Sequence, residues 1–296
     1  MRGQTASLLR SIEIAAARLI AISHPTPSAL HLKCMPRSEV DTLCASRKTP
    51  HGLDAIPGSQ AATRESVDSA LLDNPILNAL LTDHRALALV NGNARRYPAD
   101  IGPLSGIPDQ TKDSYEELRS LAGSGGVLAL FLQAPPAPAG GFTLIRTGLL
   151  SQMLHCGSGR GSRLAAEITI RQLAADDVPA MLELAELTEP GPFRTRTIEL
   201  GNFYGIFESD RLLAMAGQRI SLPGFVEVSA VCTHPDARGR GYAGALMTTV
   251  VDDILRRGKT PFLHTMSDNH SAIRVYESLG FRLRRTFHLA VVRNDV

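Results

Sequence analysis

The 296-residue sequence has no tryptophan, only 5% aromatic residues and four cysteines. The cysteines (Cys34, Cys44, Cys156 and Cys232) form no CxxC or CxxxxC pair. That excludes a disulfide-framed small domain and the common zinc motifs, so no metal site is expected. A reducing, intracellular setting is the expectation that goes with it. No run reaches the about 18 uncharged apolar residues of a membrane span. Charge of one sign is also missing: 31 Lys+Arg against 29 Asp+Glu leave a formal net charge of +2. There is no whole-chain electrostatic case for nucleic acid. The expectation is a cytoplasmic protein with neither membrane nor nucleic acid as partner, a monomer or a homodimer.

Hydrophobic residues make up 44% of the chain, ample for a core. At roughly 100–200 residues per domain, the length suggests two domains, or one plus extensions. Residues 1–60 do not read as a folded domain. Met1–Ile22 carries Arg2, Arg10 and Arg18 against Glu13, with Leu8, Leu9, Ile12, Ala15, Ala16, Leu19 and Ile20 at helical spacing. This is the pattern of an Arg-rich, acid-poor targeting peptide, which would make the protein mitochondrial. The competing reading, and the favoured one, is a plain upstream extension or a wrongly chosen start codon. His24–Pro57, rich in Pro, Ser and Thr, reads as disordered linker.

Residues 62–155 carry the signal of a small α/β unit. Arg64–Leu81 reads as helical, with a second segment starting at Pro75, and Arg85–Val90 as a short strand. Lys112–Leu121 reads as a helix stopped by Gly123, and Val127–Gln133 as an apolar strand. His84 and His155 stand alone and are expected to be structural. Residues 156–164 form a Gly-rich linker whose CGSGRGS only imitates a phosphate loop, since no strand leads in and no Lys-Ser/Thr follows.

Residues 165–296 read as β-α-(loop)-β-β-β-α-β-α-β. The strands are Glu167–Gln172, Phe203–Glu208, Leu212–Ile220, Phe225–Thr233, Phe262–Thr265 and Phe281–Val292. A first helix follows Asp176 and Asp177, with Val178, Met181, Leu182 and Ala185 on its apolar face. A second starts near Tyr242 and ends at Gly258, and Ser271–Leu279 is a third. The fold class is α/β (α+β).

Chemistry gathers in two places. Thr233–Ala243, THPDARGRGYA, joins a strand to a helix. Gly239 and Gly241 permit a tight turn with inward N–H groups, the helix adds its positive N-terminal end, and Arg238 and Arg240 add charge. The result suits a pyrophosphate; an ordinary glycine turn with two surface arginines is the plain alternative. Asn269–Phe281, NHSAIRVYESLGF, puts Asn269 at a helix start and Tyr276 two turns in. There Tyr276 either faces a cleft or fills core.

In this order and spacing the two motifs resemble those of the GNAT superfamily of acyl-CoA-dependent N-acyltransferases. R/Q-x-x-G-x-G/A is met by Arg238, Gly241 and Ala243. N-x-x-A-x-x-x-Y-x-x-x-G-F is met by Asn269, Ala272, Tyr276, Gly280 and Phe281. The resemblance runs from Glu167 to the C-terminus, and within the superfamily it is nearest the C-terminal half of glycine N-acyltransferases. It implies a splayed central sheet and acetyl-CoA, or another acyl-CoA, as co-substrate. By the same resemblance Val231, Cys232 and Thr233 would bind pantetheine through their backbone, and Arg238, Gly239, Arg240, Gly241, Tyr242 and Ala243 would hold the pyrophosphate. Asn269 would reach the pantetheine arm, and Tyr276 would sit by the thioester sulfur.

Transfer to an amine needs a proton acceptor, because an alkylammonium is mostly protonated at neutral pH. Glu227 matches the glutamate that serves as base in some family members. Strand alternation would put it on one face with Ser229 and Val231, and Cys232 on the other. The expected mechanism is direct attack, with Glu227 as general base and Tyr276 as general acid. His264 is the rival base, Cys232 a remote candidate for an acyl-cysteine, and His234 a positional residue. Arg194 and Arg196, in the loop before the hairpin, are candidates to hold a carboxylate of the acceptor, against a solvated basic loop. The expected acceptor is a small primary amine or amino acid. The alternatives are a protein N-terminus or lysine, or no acceptor at all in a non-catalytic acyl-CoA-binding module.

Overall fold

A computed structural model describes residues 69–137, 140–157, 159 and 168–295. The expectations for residues 1–60, and for most of the Gly-rich linker, lie outside the described residues. In chain order the elements are α1 (Pro75–Leu81), β1 (Leu89–Asn91), β2 (Ala94–Arg96), β3 (Ser105–Gly106), α2 (Lys112–Ala122), β4 (Val127–Leu132), β5 (Phe142–His155), β6 (Ile170–Gln172), α3 (Val178–Thr188), β7 (Phe203–Glu208), β8 (Arg211–Leu222), β9 (Phe225–Thr233), α4 (Tyr242–Arg256), β10 (Thr260–Met266), α5 (His270–Ser278) and β11 (Phe281–Asn294). None of the described helices is long and apolar enough to cross a membrane.

Eight strands form one sheet in the order β4-β11-β5-β10-β9-β8-β7-β6, and β1-β2-β3 form a small second sheet. Neighbours in the large sheet are antiparallel except β9 and β10. The stretch 62–155, read as a unit of its own, contributes β4 and β5 to this sheet. β5 lies between β10 and β11, so the hydrogen bonding is continuous across the linker.

Two local expectations give way to different geometry. Ahead of the second segment, which starts at Pro75 as expected, the described residues Ser69–Asp73 form a 3-10 turn and not an α-helix. Arg85–Val90 is not a strand: Arg85–Leu87 make a 3-10 turn, and pairing begins at Leu89.

The helices bury the faces that their spacing dictates. On α2, Tyr115, Leu118 and Ala122 turn inward. On α4, Leu246, Met247, Val250 and Ile254 pack with Val226, Val228 and Phe281 of the sheet. The opposite side carries Leu72, Ile76, Leu80, Tyr97 and Ile101 against Phe225 and Phe262. Phe262 is 0% exposed, and a side chain so buried contributes about 1.5–3 kcal/mol.

β9 contains an irregularity that alternation does not show. Ala230 takes the left-handed conformation at φ 53°, and the pairing with β8 shifts between Ser229↔Gly217 and Cys232↔Met215. A bulge of this kind resets which face each side chain occupies. Val226, Val228 and Val231 therefore share the core beneath α4, while Ala230 and Cys232 join Met181 and Leu184 of α3. The simple alternation of the sequence reading, with Val231 beside Glu227 and Cys232 opposite, is corrected by this one residue.

Candidate active site

β9 and β10 pair only through Thr260↔Phe225, Pro261↔Val226 and Phe262↔Glu227. Beyond these residues the strands part. β9 continues to Thr233, paired on its other side with β8, and β10 to Met266, paired with β5. The β10-facing edge of Val231–Thr233 therefore lacks a strand partner and offers backbone N–H and C=O groups to an extended ligand. Thr233 adds a buried hydroxyl that has no hydrogen-bond partner among the described residues.

The β9–α4 turn begins with a 3-10 segment, Pro235–Ala237. Gly239 and Gly241 then adopt φ of 80° and 79°, conformations costly for residues with a Cβ. α4 follows with no side-chain cap and no acidic residue in its first turn. Its opening N–H groups lack intrahelical partners and carry the positive end of the helix dipole. Arg238, exposed, has no ion-pair partner among the described residues; Arg240 reaches Glu208 at 3.3 Å. Uncapped amides, two glycines and an unpaired cation suit a pyrophosphate. Tyr242 is buried in the α4 core, so its part in the cradle is its amide.

On α5, Asn269 is the N-cap: its Oδ1 accepts from the Ala272 amide at 3.2 Å and from Ser271 Oγ at 3.0 Å. That oxygen is committed to the helix, leaving only its Nδ2 side for a ligand. Tyr276 is half-buried, packs edge-on to Phe281 with centroids 6.4 Å apart, and has its pKa raised by burial. A phenol kept protonated can donate a proton or a hydrogen bond.

Glu227 is not an open base. It is 0% exposed and accepts three hydrogen bonds: Arg219 Nε at 2.8 Å, Arg219 Nη2 at 2.7 Å and His264 Nδ1 at 2.7 Å. Burial alone would raise its pKa, but the Arg219 charge and these bonds outweigh burial and hold it at about 2. A carboxylate so satisfied takes up a proton poorly at neutral pH. The rival, His264, has a side chain 1% exposed, packed against Phe131, Phe262 and Phe287, and burial lowers its pKa. It is equally enclosed.

These residues belong to a row that the sequence reading missed. Arg284 Nη1 donates to Gln152 Oε1 at 3.0 Å, and Gln152 Nε2 contacts His264 Nε2 at 3.1 Å. His264, Glu227 and Arg219 complete the row, so one polar side chain comes from each of β11, β5, β10, β9 and β8. Gln152 and Arg219 lie among other polar residues of β5 and β8, so the sequence alone did not single them out.

The remaining candidates separate. Arg196 is gripped by Glu199 at 2.6 and 2.8 Å and by Asp100 at 3.2 Å, so it holds the loop to the 94–106 region and is not free for a carboxylate. Arg194 donates to the Phe193 carbonyl at 2.9 Å. The two do not form a clamp. Cys232 is buried, and burial pushes its thiol up to about 11, which disfavours an acyl-cysteine. His234 contacts Arg211 and the Asp236 amide, holding the turn.

A sheet split beside an uncapped, glycine-led helix is the arrangement of an acyl-CoA-dependent acetyltransferase. The comparisons agree. The family model for FR47-like proteins matches residues 203–289. A structure from Novosphingobium aromaticivorans DSM 12444, assigned to the GNAT family of acetyltransferases, is 38% identical, with a TM-score of 0.69 over 76% of this chain and 99% of that one. The chain belongs to the GNAT family and is an acyl-CoA-dependent N-acetyltransferase. It is also similar to the [ribosomal protein bS18]-alanine N-acetyltransferase of Escherichia coli (strain K12), at 28% identity over 40% of this chain and 86% of that one. A GCN5-related N-acetyltransferase from Kribbella flavida shares the fold at 16% identity, with a TM-score of 0.54 over 75% of this chain and 95% of that one.

Proposed function

We propose that this protein moves an acetyl group from acetyl-CoA to a primary amine by direct attack, with the thioester lying in the β9/β10 split. The observation that carries the reading is the unpaired edge of Val231–Thr233 leading into the uncapped start of α4. The Val231–Thr233 backbone would bind the pantetheine amides, and Arg238 with the amides of Tyr242 and Ala243 the pyrophosphate. Tyr276, protonated, would give its proton or a hydrogen bond to the departing thiolate. Glu227 serves here as an anchor for Arg219 instead of as the base, so the attacking amine loses its proton to water. Much of the rate then comes from positioning. Kinship with the C-terminal half of glycine N-acyltransferases is part of the same proposal and rests on the two motifs.

The acceptor is a small amine or a protein amine. The bS18-alanine acceptor in the name of the Escherichia coli relative favours the protein amine as a second reading. The test is thiol release from acetyl-CoA across a panel of amines. Amine-dependent release that falls sharply in Tyr276→Phe supports the reading. Release at the same rate with and without amines contradicts it.

A further inference from the structure

Arg219 is bound on one side only. Its Nε and Nη2 are committed to Glu227, whereas Nη1 has no partner among the described residues, and the side chain is 13% exposed. It lines a cavity with about 10 Å³ of free space, roughly one water's worth, together with Pro192, Phe193, Ser229 and Ala230. Ser229 and Ala230 immediately precede the unpaired edge of β9. The cavity is therefore adjacent along β9 to the stretch assigned above to the thioester.

The guanidinium is held rigidly. Arg284 is tied to Asp73 at 2.8 Å and to the Ser69 carbonyl at 2.9 Å, and it donates to Gln152. Gln152 Nε2 donates to the Leu72 carbonyl at 3.0 Å, so its second proton points at His264 Nε2. His264 is then neutral with its proton on Nδ1, donating to Glu227. Each group has one consistent role, and the row ends at Arg219.

The two nearest arginines with acidic partners are already paired. Glu227 neutralises Arg219, and Glu199 and Asp100 neutralise Arg196. Arg194 belongs to the same loop but does not line the cavity. A carboxylate brought to Nη1 would place a second negative charge beside the buried Glu227, with no second cation among the residues that line the cavity. A carbonyl oxygen would accept the same hydrogen bond and add no charge.

We propose that Arg219 Nη1 recognises the carbonyl oxygen next to the acceptor amine, and that the acceptor is an α-amine followed by an amide, as at a peptide N-terminus. A free amino acid is disfavoured because its carboxylate would lie against the Arg219–Glu227 pair. This rests on the acetyl-transfer reading above and names the substrate class of the same site.

The experiment compares alanine, alaninamide and an amidated alanyl tripeptide with the full chain and acetyl-CoA, rates being referred to the unprotonated amine. Alanine keeps the side chain small, so the comparison isolates the carboxyl group. The two amides should exceed free alanine in kcat/KM by about tenfold or more, the worth of one hydrogen bond to a charged group. Arg219→Lys, which keeps the charge but loses the fork, should reduce that preference to near one while the thermal shift with acetyl-CoA persists. The pair Arg219→Gln with Glu227→Gln, which removes both charges together, should do the same. Equal or better use of free alanine overturns the proposal, as does a preference that survives in both variants. Silence with all three amines while acetyl-CoA still raises Tm overturns the acceptor class alone. Loss of the acetyl-CoA response as well brings down the transferase reading beneath it.

Discussion

Arg219 holds both carboxylate oxygens of Glu227, through Nε at 2.8 Å and Nη2 at 2.7 Å, in a pair whose carboxylate is 0% exposed. The pair separates two roles for the glutamate. As a base it would need access to the amine and a pKa near neutrality; as an anchor it needs what is found here.

Glu227→Gln should therefore act first on stability. Removing one partner of a buried pair leaves the other charge uncompensated, at a cost of about 3–5 kcal/mol. Denaturant unfolding of the single variant should show a loss of that order, and the double variant with Arg219→Gln should recover much of it. A pH–rate profile for any folded Glu227→Gln protein should keep the acidic limb of the parent. Loss of that limb, with stability intact, would restore the base role.

Gly241→Asp places a carboxylate at the start of α4, where the helix end and Arg238 favour an anion already. At a concentration about a hundredfold over its dissociation constant, acetyl-CoA should stabilise the parent by roughly 2.7 kcal/mol. That corresponds to several degrees in Tm, at about 2–4 °C per kcal/mol for a chain of this size. The variant should show no shift.

Tyr276→Phe removes the phenol from a ring that also packs on Phe281. The packing survives, so Tm should change little. Loss of a proton donor to the thiolate should lower kcat by about a hundredfold, the lower end of general acid catalysis, with KM for acetyl-CoA near that of the parent. Unchanged kcat would make Tyr276 a core residue only.

Acid should act through His84, whose Nδ1 lies 2.7 Å from the Tyr97 hydroxyl and whose ring is buried. Burial lowers its pKa from 6.5 to about 4. The unfolded chain then binds the proton first, so this contribution is complete above pH 6.5 and is lost as pH falls toward 4. A difference of this size is worth about 3 kcal/mol. Glu227 follows below it: its folded pKa is depressed, so its contribution is present above the unfolded value of 4.5 and is lost toward pH 2. His84→Gln should flatten stability between pH 6.5 and 4 and leave the lower step in place.

Much of the C-terminal architecture was legible because its signals are local. β-prone apolar runs mark β7, β8 and β9, periodicity marks α4, and the glycines at 239 and 241 mark the turn between strand and helix. β5 was not legible. Its first half, Phe142–Leu149, exposes Leu144, Ile145 and Leu149, and only its second half is buried, so no single period describes it. The sheet's continuity across the linker depends on that strand, as does the Gln152 position. The Ala230 bulge was hidden for a related reason: an alanine gives no sign of a left-handed backbone, yet it decides which face Val231 and Cys232 occupy. The pairing of Arg196 was hidden for a different reason, since Glu199 is close in sequence but Asp100 is not. Neutralisation by a distant partner is a property of the fold.

Hydrogen exchange with and without acetyl-CoA tests the location of the thioester most directly. The account predicts slower exchange at the amides of Val231–Thr233 and of Tyr242–Gly244 when acetyl-CoA is present, and little change in β6 and β7. Protection confined to other segments, or none at saturating acetyl-CoA, would contradict it.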